Sequence, residues 1–398
     1  MHVTIKKDRA ASLFFNNKFY DTDRPLDLSF SETFRLSRVA TLDATYNTVP
    51  YDSSIYRDQH LINFFGDIDK TSGFGGVSYN LIKYALPRLK IALAGRTMEA
   101  FDGFLHTARE RNLEQSGAMI WHDQPKDNWL HSPFQKNICI VPWETTTIPR
   151  TWVERINMCN ALFVPCKQNI EAFRSSGVHI PIELTHWGID TTKFYSIERP
   201  ERPLFTFGTM GALSVRKGTD LLVDAFTEAF PTEKDVRLIC KTSYNQYTFM
   251  THDKRIEVQI SPITHEELMR DFFQQIDCFV FPTRGEGWGL PITEAMATGV
   301  PAIATNWSGP QEFMQEDDGY LLDHTMSDAT AFSNDVYKEN CGQWAEPSKE
   351  HLIHFMRHAY NNREEVRDKG ARAAKRMKRD FPWEKKISMY LDALNKHL

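Results

Sequence analysis

The sequence predicts an α/β protein made of two doubly wound, Rossmann-like parallel-sheet domains facing a central cleft. Two observations lead there. From about residue 61 onward, short runs of β-branched and aromatic residues alternate with amphipathic stretches, the pattern of parallel strands joined by crossover helices. The alternation runs twice, and the polar, proline-bearing segment Asp190–Pro203 separates the two series. A chain of 398 residues can bury two independent cores.

In the first series, strands are expected at Leu61–Gly66, Ile91–Ala94, Ala118–Trp121, Asn137–Pro142, Ala161–Pro165 and Ile182–Thr185, each bounded by turn formers. Helices are expected at Val77–Leu86 and Thr151–Met158. In the second series the strands are Leu204–Phe207, Val236–Cys240, Ile256–Ile260, Cys278–Phe281, Ala302–Ala304 and Tyr320–Leu322. Helices Gly218–Phe230, His265–Gln275, Pro291–Thr298 and Pro310–Gln315 lie between them. After Glu346 the pattern is helical, with a basic stretch Arg363–Arg379 and a last amphipathic segment. The expected divisions are 1–60, an extension or insertion whose structure the pattern does not give, then 61–195, 196–382 and a final helix over 383–398.

Composition bounds the function. The chain has 47 basic and 52 acidic residues, a formal net charge of −5. Such a balance disfavours non-specific nucleic-acid binding as the main task. The aromatic content of 12% and the recurring apolar runs exclude disorder as the main state. None of the six cysteines forms a CxxC pair, and several sit in apolar runs, so isolated thiols and a reducing, cytoplasmic location are expected. The N-terminus lacks the roughly 7–15-residue apolar core of a signal peptide. No run approaches the ~18 apolar residues of a spanning helix, which leaves peripheral membrane association open.

Ligands of doubly wound sheets bind at the carboxyl ends of strands, so chemistry is sought in the loops there. Thr71-Ser72-Gly73-Phe74-Gly75-Gly76 follows the first strand and opens a helix, which offers close backbone approach and a positive terminus to an anion. It comes near a dinucleotide fingerprint, but Ala94-Gly95-Arg96-Thr97 supplies no ribose-binding acid. A structural turn and a phosphate or sugar loop both fit it. In the second half, Arg284-Gly285-Glu286-Gly287-Trp288-Gly289-Leu290-Pro291-Ile292-Thr293-Glu294 turns from a strand into a helix with Pro291 near its first position. The amides of Gly287, Trp288, Gly289 and Leu290 suit a diphosphate. Two carboxylates cannot serve that anion directly, so Glu286 and Glu294 are expected to hold hydroxyls. Val215-Arg216-Lys217-Gly218 places two cations at a helix start, where the macrodipole prefers anions. That conflict points to a leaving pyrophosphate.

These residues carry a resemblance. Glu286 and Glu294 within EGWGLPITEAMATGVPAIAT resemble the signature of the retaining GT-B glycosyltransferases of family 4 (glycosyl transferases group 1). The resemblance spans most of 61–395 and is strongest from Leu204 to Glu312. It implies that Glu286 contacts donor-sugar hydroxyls and Glu294 the ribose. It also implies that 61–195 is the acceptor-side domain, that 196–382 binds the nucleotide sugar, and that the final helix crosses back to the first domain. His122, in Trp121-His122-Asp123, matches a histidine that lies under the reacting sugar. Trp143-Glu144-Thr145-Thr146 resembles an acceptor-loop segment. His186-Trp187-Gly188-Ile189-Asp190 matches the family's hinge turn. The family's usual arginine about five residues before the lysine is Ala212 here, and Arg216 is the expected substitute.

The expected activity is therefore retaining, metal-independent transfer from a nucleotide-diphosphate sugar, with a UDP-sugar favoured, to a hydroxyl of unspecified class. Arg216, Lys217 and the amides would hold the diphosphate, with Gly75 and Gly76 approaching from the other domain. No cofactor is expected beyond the donor. Asp67-Ile68-Asp69 has the DxD form of metal-dependent glycosyltransferases, but the GT-B site uses helix dipoles and cations in place of the metal. Alternatives are a DNA-modifying transferase, whose phosphate contacts would fall in Lys369–Arg379, and a non-catalytic nucleotide-sugar-binding protein.

Overall fold

The computed structural model describes residues 2–5, 12–15, 18–21, 25–27, 42–45, 58–68, 72–93, 116–125, 136–243, 251–261, 268–330 and 337–398. Thr71, Asp69, residues 94–97 and residues 262–267 lie outside that set. Two compact units emerge. Unit 1 comprises Met1–Val141, Glu154–Phe163 and Leu394–Leu398, and unit 2 comprises Pro142–Val153 and Val164–Ala393.

Unit 1 begins with short antiparallel pieces. Strand β1 (His2–Ile5) pairs with β4 (Pro25–Asp27) and β5 (Leu42–Thr45), while β2 (Ser12–Phe15) pairs with β3 (Lys18–Asp21). The main sheet is parallel. It contains β6 (Asp58–Gly66), β7 (Lys90–Leu93), β8 (Ser116–His122), β9 (Lys136–Ile140) and β10 (Ala161–Val164), in the order β10-β9-β8-β6-β7. Its strands read as unbroken apolar runs because both faces are covered: Ile62, Ala118, Met119, Ile138, Leu162 and Phe163 are fully buried. Helix α1 (Gly73–Ala85) starts where the Ser72 side chain accepts from the Gly75 amide, 3.0 Å away. Val77, Leu81, Ile82 and Ala85 form its buried stripe. Pro87 follows its end, as expected of a residue that cannot continue a helix.

The division between the units falls inside α2 (Arg150–Asn157). Unit 2 then contributes α3 (Lys167–Ser175) and a short strand, β11 (Ile182–Leu184). Its six-stranded parallel sheet has the order β14-β13-β12-β15-β16-β17. The strands are β12 (Phe205–Met210), β13 (Val236–Thr242), β14 (Ile256–Ile260), β15 (Cys278–Phe281), β16 (Ala302–Thr305) and β17 (Gly319–Leu322). Helix α4 (Thr219–Ala229) follows β12, and α5 (Leu290–Ala297) follows β15. The order reverses between β12 and β15, which pair through Phe207–Cys278 and Gly208–Phe279. That reversal is a topological switch point, where open α/β sheets form their binding crevices. The hairpin β18 (His324–Asp328) and β19 (Gln343–Pro347) precedes helices α6 (Lys349–Asn361), α7 (Arg363–Asp380) and α8 (Trp383–His397).

Sequence and structure differ where the apolar signal is weak. Helix α3 was not expected, because KQNIEAFRS buries only Asn169, Ala172 and Phe173. The hairpin was missed because β18 is largely exposed and polar. The expected helix His265–Gln275 is a single π-helical turn, Leu268–Phe273, within the described residues. The two parallel-sheet domains themselves are present.

The basic stretch in α7 is committed internally. Lys369 donates to the Gly319 carbonyl, Arg372 to that of Asp317, Arg376 pairs with Asp318, and Arg379 with Asp380. The two ion pairs compensate part of the charge that a phosphate-binding helix face would use, and the carbonyl contacts turn Lys369 and Arg372 toward the protein. Among the described residues no helix is long and apolar enough to cross a membrane, and all six cysteines are buried and free.

Unit 2 depends on aromatic packing between its sheet and α4. Phe226 is fully buried, 5.4 Å from the Phe230 ring and 6.5 Å from Phe207, with the Arg255 guanidinium 5.3 Å from its face. Phe226→Ala should therefore cost about 3–5 kcal/mol, because the neighbours cannot close the cavity fully. Urea unfolding followed by circular dichroism measures it.

Candidate functional site

The site in unit 2 is built by two loops at the carboxyl ends of the switch-point strands. The first leaves β12 and enters α4 through Arg216, Lys217 and Gly218. The second leaves β15 and enters α5 through Thr283–Gly289. Gly289, the residue ahead of α5, has φ +102°, a left-handed conformation that favours glycine. Pro291 lies in the first turn of the helix, as expected. Among the described residues no group accepts from the amides of Trp288, Gly289 or Leu290. They form the positive end of a helix with unspent donors.

The two loops are stitched together by short polar contacts. The Arg284 amide donates to the Arg216 carbonyl at 2.7 Å, and the Arg216 guanidinium returns a bond to the Gly285 carbonyl at 2.6 Å. Thr283 Oγ lies 3.2 Å from the Arg216 carbonyl, and Thr305 Oγ donates to the Thr283 carbonyl at 2.6 Å. The buried Arg284 side chain grips Asp220 in the first turn of α4, at 2.9 and 3.1 Å, and Glu346 on β19, at 2.6 and 2.7 Å. It also reaches the Val215 carbonyl. Charge-assisted, two-pronged contacts of this kind fix geometry as well as energy. Arg284 was quoted in the sequence string without a role. Its acidic partners lie 64 and 62 residues away, beyond the reach of motif spacing.

Glu286 is the focus of the charges. It accepts from Arg216 at 2.9 Å and from the Lys217 ammonium. Burial alone would raise its pKa, but Lys217 and Arg216 outweigh that and hold it below the usual carboxylate range. So Arg216 and Lys217 converge on the carboxylate of Glu286, in the same turn that carries the unspent amides. Glu144 joins them. Its carboxylate lies 3.8 Å from Arg216, and burial raises its pKa although Arg216 pulls the other way. Its loop comes so close that a Cβ on Gly285 would sit 1.9 Å from the Glu144 carbonyl oxygen. Glycine is the residue that permits this approach.

Glu294 lies one turn into α5, half-buried, and no donor among the described residues reaches its carboxylate. Burial pushes its pKa up to about 8. A desolvated carboxylate without a partner is costly, and hydroxyl donors would relieve it.

Trp143 has a different place from the one its sequence neighbourhood suggests. Its side chain is fully buried, 4.9 Å from the Trp152 ring and 5.1 Å from Tyr337, and its indole N–H donates to the Thr147 carbonyl at 2.8 Å. Asn169 of the unexpected helix α3 ties both backbone groups of Trp143 at 3.0 and 2.8 Å. Trp143 thus braces the Glu144 loop and presents no surface for an acceptor. His186 of the hinge-like turn pairs with Glu312 at 3.0 Å.

Unit 1 holds His122, Gly75 and Gly76. His122 ends β8, is buried, has Nδ1 2.7 Å from Ser78 Oγ, and stacks on Phe74 at 5.1 Å. Burial pushes it down to about 3, so the imidazole is neutral at physiological pH. The amides of Gly75 and Gly76 donate to the Ser72 hydroxyl and carbonyl. A Cβ on Gly76 would meet nothing within 4 Å. Free amides were expected at this turn, and for these two residues the Ser72 cap has taken them.

Residues 204–338 match the family model described as glycosyl transferases group 1. A GDP-mannose-dependent alpha-mannosyltransferase from Corynebacterium glutamicum is 25% identical over 185 residues, covering 43% of this chain and 43% of the relative. The lipopolysaccharide core biosynthesis mannosyltransferase LpsB from Rhizobium meliloti is 33% identical over 107 residues, covering 25% and 30%. The chain thus spans less than half the length of these two relatives. Among solved structures, sucrose-phosphate synthase from Thermosynechococcus elongatus superposes with a TM-score of 0.63 at 15% identity, over 84% of this chain and 98% of that one. HepE from Anabaena, in complex with UDP and glucose, gives 0.60 at 12% identity, over 84% and 99%. The two parallel-sheet units thus have the fold of these solved glycosyltransferase-type neighbours, and the similarity to the group 1 glycosyltransferases is carried by residues 204–338 of unit 2.

Proposed function

We propose that this protein transfers a sugar from a nucleotide-diphosphate sugar to a hydroxyl acceptor, with retention at the anomeric carbon and without a metal ion. The observation that carries this reading is the convergence of Arg216 and Lys217 on Glu286, in the turn that runs on into the unspent amides of Trp288–Leu290 at the switch point. A diphosphate is the anion that fits two cations and a helix N-terminus at once. Glu294, partnerless and reluctant to ionise, suits the ribose diol. Glu286 suits the sugar hydroxyls once the diphosphate has drawn the cations away from it. Gly75, Gly76 and His122 keep the roles implied by the resemblance, His122 as a neutral hydrogen-bonding group toward the sugar.

The chemistry follows from where charge develops. As the bond between the anomeric carbon and the phosphate oxygen stretches, its electron pair moves to the phosphate and positive charge builds on the sugar. Lys217, Arg216 and the helix amides are fixed where the new negative charge appears, so they stabilise the transition state more than the ground state. The acceptor oxygen bonds to the anomeric carbon on the same face. Its proton passes to the departing phosphate oxygen, which balances the step without an enzymatic base. Of the donors, a UDP-sugar is kept as first choice, with GDP-sugars tested beside it because the Corynebacterium relative is named for GDP-mannose. The acceptor is a hydroxyl of unspecified class. The free, buried thiols fit a cytoplasmic site of action.

Three expected outcomes test the reading. In a thermal-shift screen, UDP-glucose, GDP-mannose or ADP-glucose should raise the melting temperature with ligand excess. In Lys217→Ala that shift should shrink and turnover should fall roughly 10²–10³-fold. Undiminished turnover would remove the leaving-group role. Proton NMR of the product should show the anomeric configuration of the donor, and an inverted product would overturn same-face attack.

Glu294 gives the third outcome. Its folded pKa of about 8 exceeds the ordinary 4.5, so the folded state binds the proton more tightly. The stability it lends is fully present below pH 4.5 and is lost as pH rises toward 8. Glu294→Gln should therefore stabilise the free protein more at pH 8 than at pH 5, by on the order of 1 kcal/mol. The same variant should bind nucleotide sugars more weakly. Unchanged affinity would remove the ribose role.

A further inference from the structure

The cation site holds one more carboxylate than the transfer reaction uses. Arg216 and Lys217 face Glu286 and Glu144, so two positive charges meet two negative ones. The pairing is uneven. Glu286 contacts both cations, whereas among the described residues Glu144 has only Arg216 within 4.0 Å, at 3.8 Å. At longer range Lys217 attracts the Glu144 charge and Glu286 repels it, and the phenol of Tyr337, whose ring packs on the neighbouring Trp143, also feels it. The Glu144 backbone is pressed against Gly285 and cannot back away without reshaping the turn.

A diphosphate arriving at Arg216 and Lys217 brings two negative charges into this balance. Glu286 is offered hydroxyls in exchange for its cations. Glu144 gains no such exchange, because Arg216, its nearest cation among the described residues, and the more distant Lys217 must now be shared with an anion. A buried carboxylate that loses its counter-charge binds a proton instead. We infer that Glu144 takes up a proton when the nucleotide-diphosphate sugar binds, and so makes donor affinity fall as pH rises. The inference rests on the proposed donor site. Its sign follows from linkage: a group whose pKa is higher in the complex than in the free protein strengthens binding at low pH and weakens it as pH climbs between the two values. Burial has already set the free value above that of an ordinary carboxylate, which brings the coupling toward the working pH.

The test is isothermal titration of the full chain with UDP-glucose and GDP-mannose. A nucleotide sugar, unlike a free nucleoside diphosphate, has no phosphate proton that titrates near neutrality. Measurement in two buffers of different ionisation enthalpy, from pH 5.5 to 8.5, gives the number of protons taken up. Wild type should take up more protons than Glu144→Gln. The difference isolates Glu144, because any contribution from Glu294 is common to both proteins. Glu144→Gln, a permanent mimic of the protonated acid, should bind about three- to tenfold more tightly at pH 8 and show a flatter pH dependence. Equal proton numbers in the two proteins would overturn the inference while leaving the donor site intact. So would weaker binding by a folded Glu144→Gln. If neither nucleotide sugar binds wild type at any pH, the proposed donor site itself fails, a separate and distinguishable outcome.

Discussion

Glu286 lies between Arg216 and Lys217, and the carboxyl edge of unit 2 is arranged around that contact. Two cations at the entrance of α4 would be a local liability, since a helix start favours negative charge. Glu286 offsets them by pairing with both, and Asp220 in the first turn of α4 offsets the helix itself. Buried ion pairs seldom add much net stability, because desolvation costs about what the attraction returns. The arrangement makes more sense as stored positive charge. On the proposed function, the cations are held in place and oriented until an anion able to displace a carboxylate arrives.

The supporting structure serves the same end. Arg284 ties the turn after β15 to α4 and to β19, while Thr283 and Thr305 link successive strand ends. The Glu286 carbonyl is reached by Ser308 Oγ at 2.7 Å and by the Gly309 amide at 3.2 Å. The backbone of the turn is thus fixed from several elements while its carboxylate stays exchangeable. A site that stabilises charge in a transition state must be rigid beforehand, because reorganisation during the reaction would consume the gain.

Much of this was legible in the sequence because the signals are local. Parallel strands buried on both faces announce themselves as apolar runs, and the glycines, Pro291 and Glu294 follow one another in a single string. What escaped has long-range causes. Glu144 reads as part of a loop, and only folding brings it to Arg216. Trp143 reads as part of an acceptor-loop segment, and only the α3 residue Asn169 and the Trp152 ring reveal it as packing. The amides of Gly75 and Gly76 look free until the Ser72 cap is seen. The mild overall charge of −5 hid both a paired cation site and a basic helix whose Arg376 and Arg379 pair with neighbouring acids.

A crystal structure with UDP bound tests the central claim most directly. The account predicts the β-phosphate oxygens on the Lys217 ammonium and the amides of Trp288–Leu290. Glu286 should be released from Arg216, and Glu294 should lie on the ribose hydroxyls. A diphosphate bound elsewhere, with Glu286 still held between Arg216 and Lys217, would contradict it.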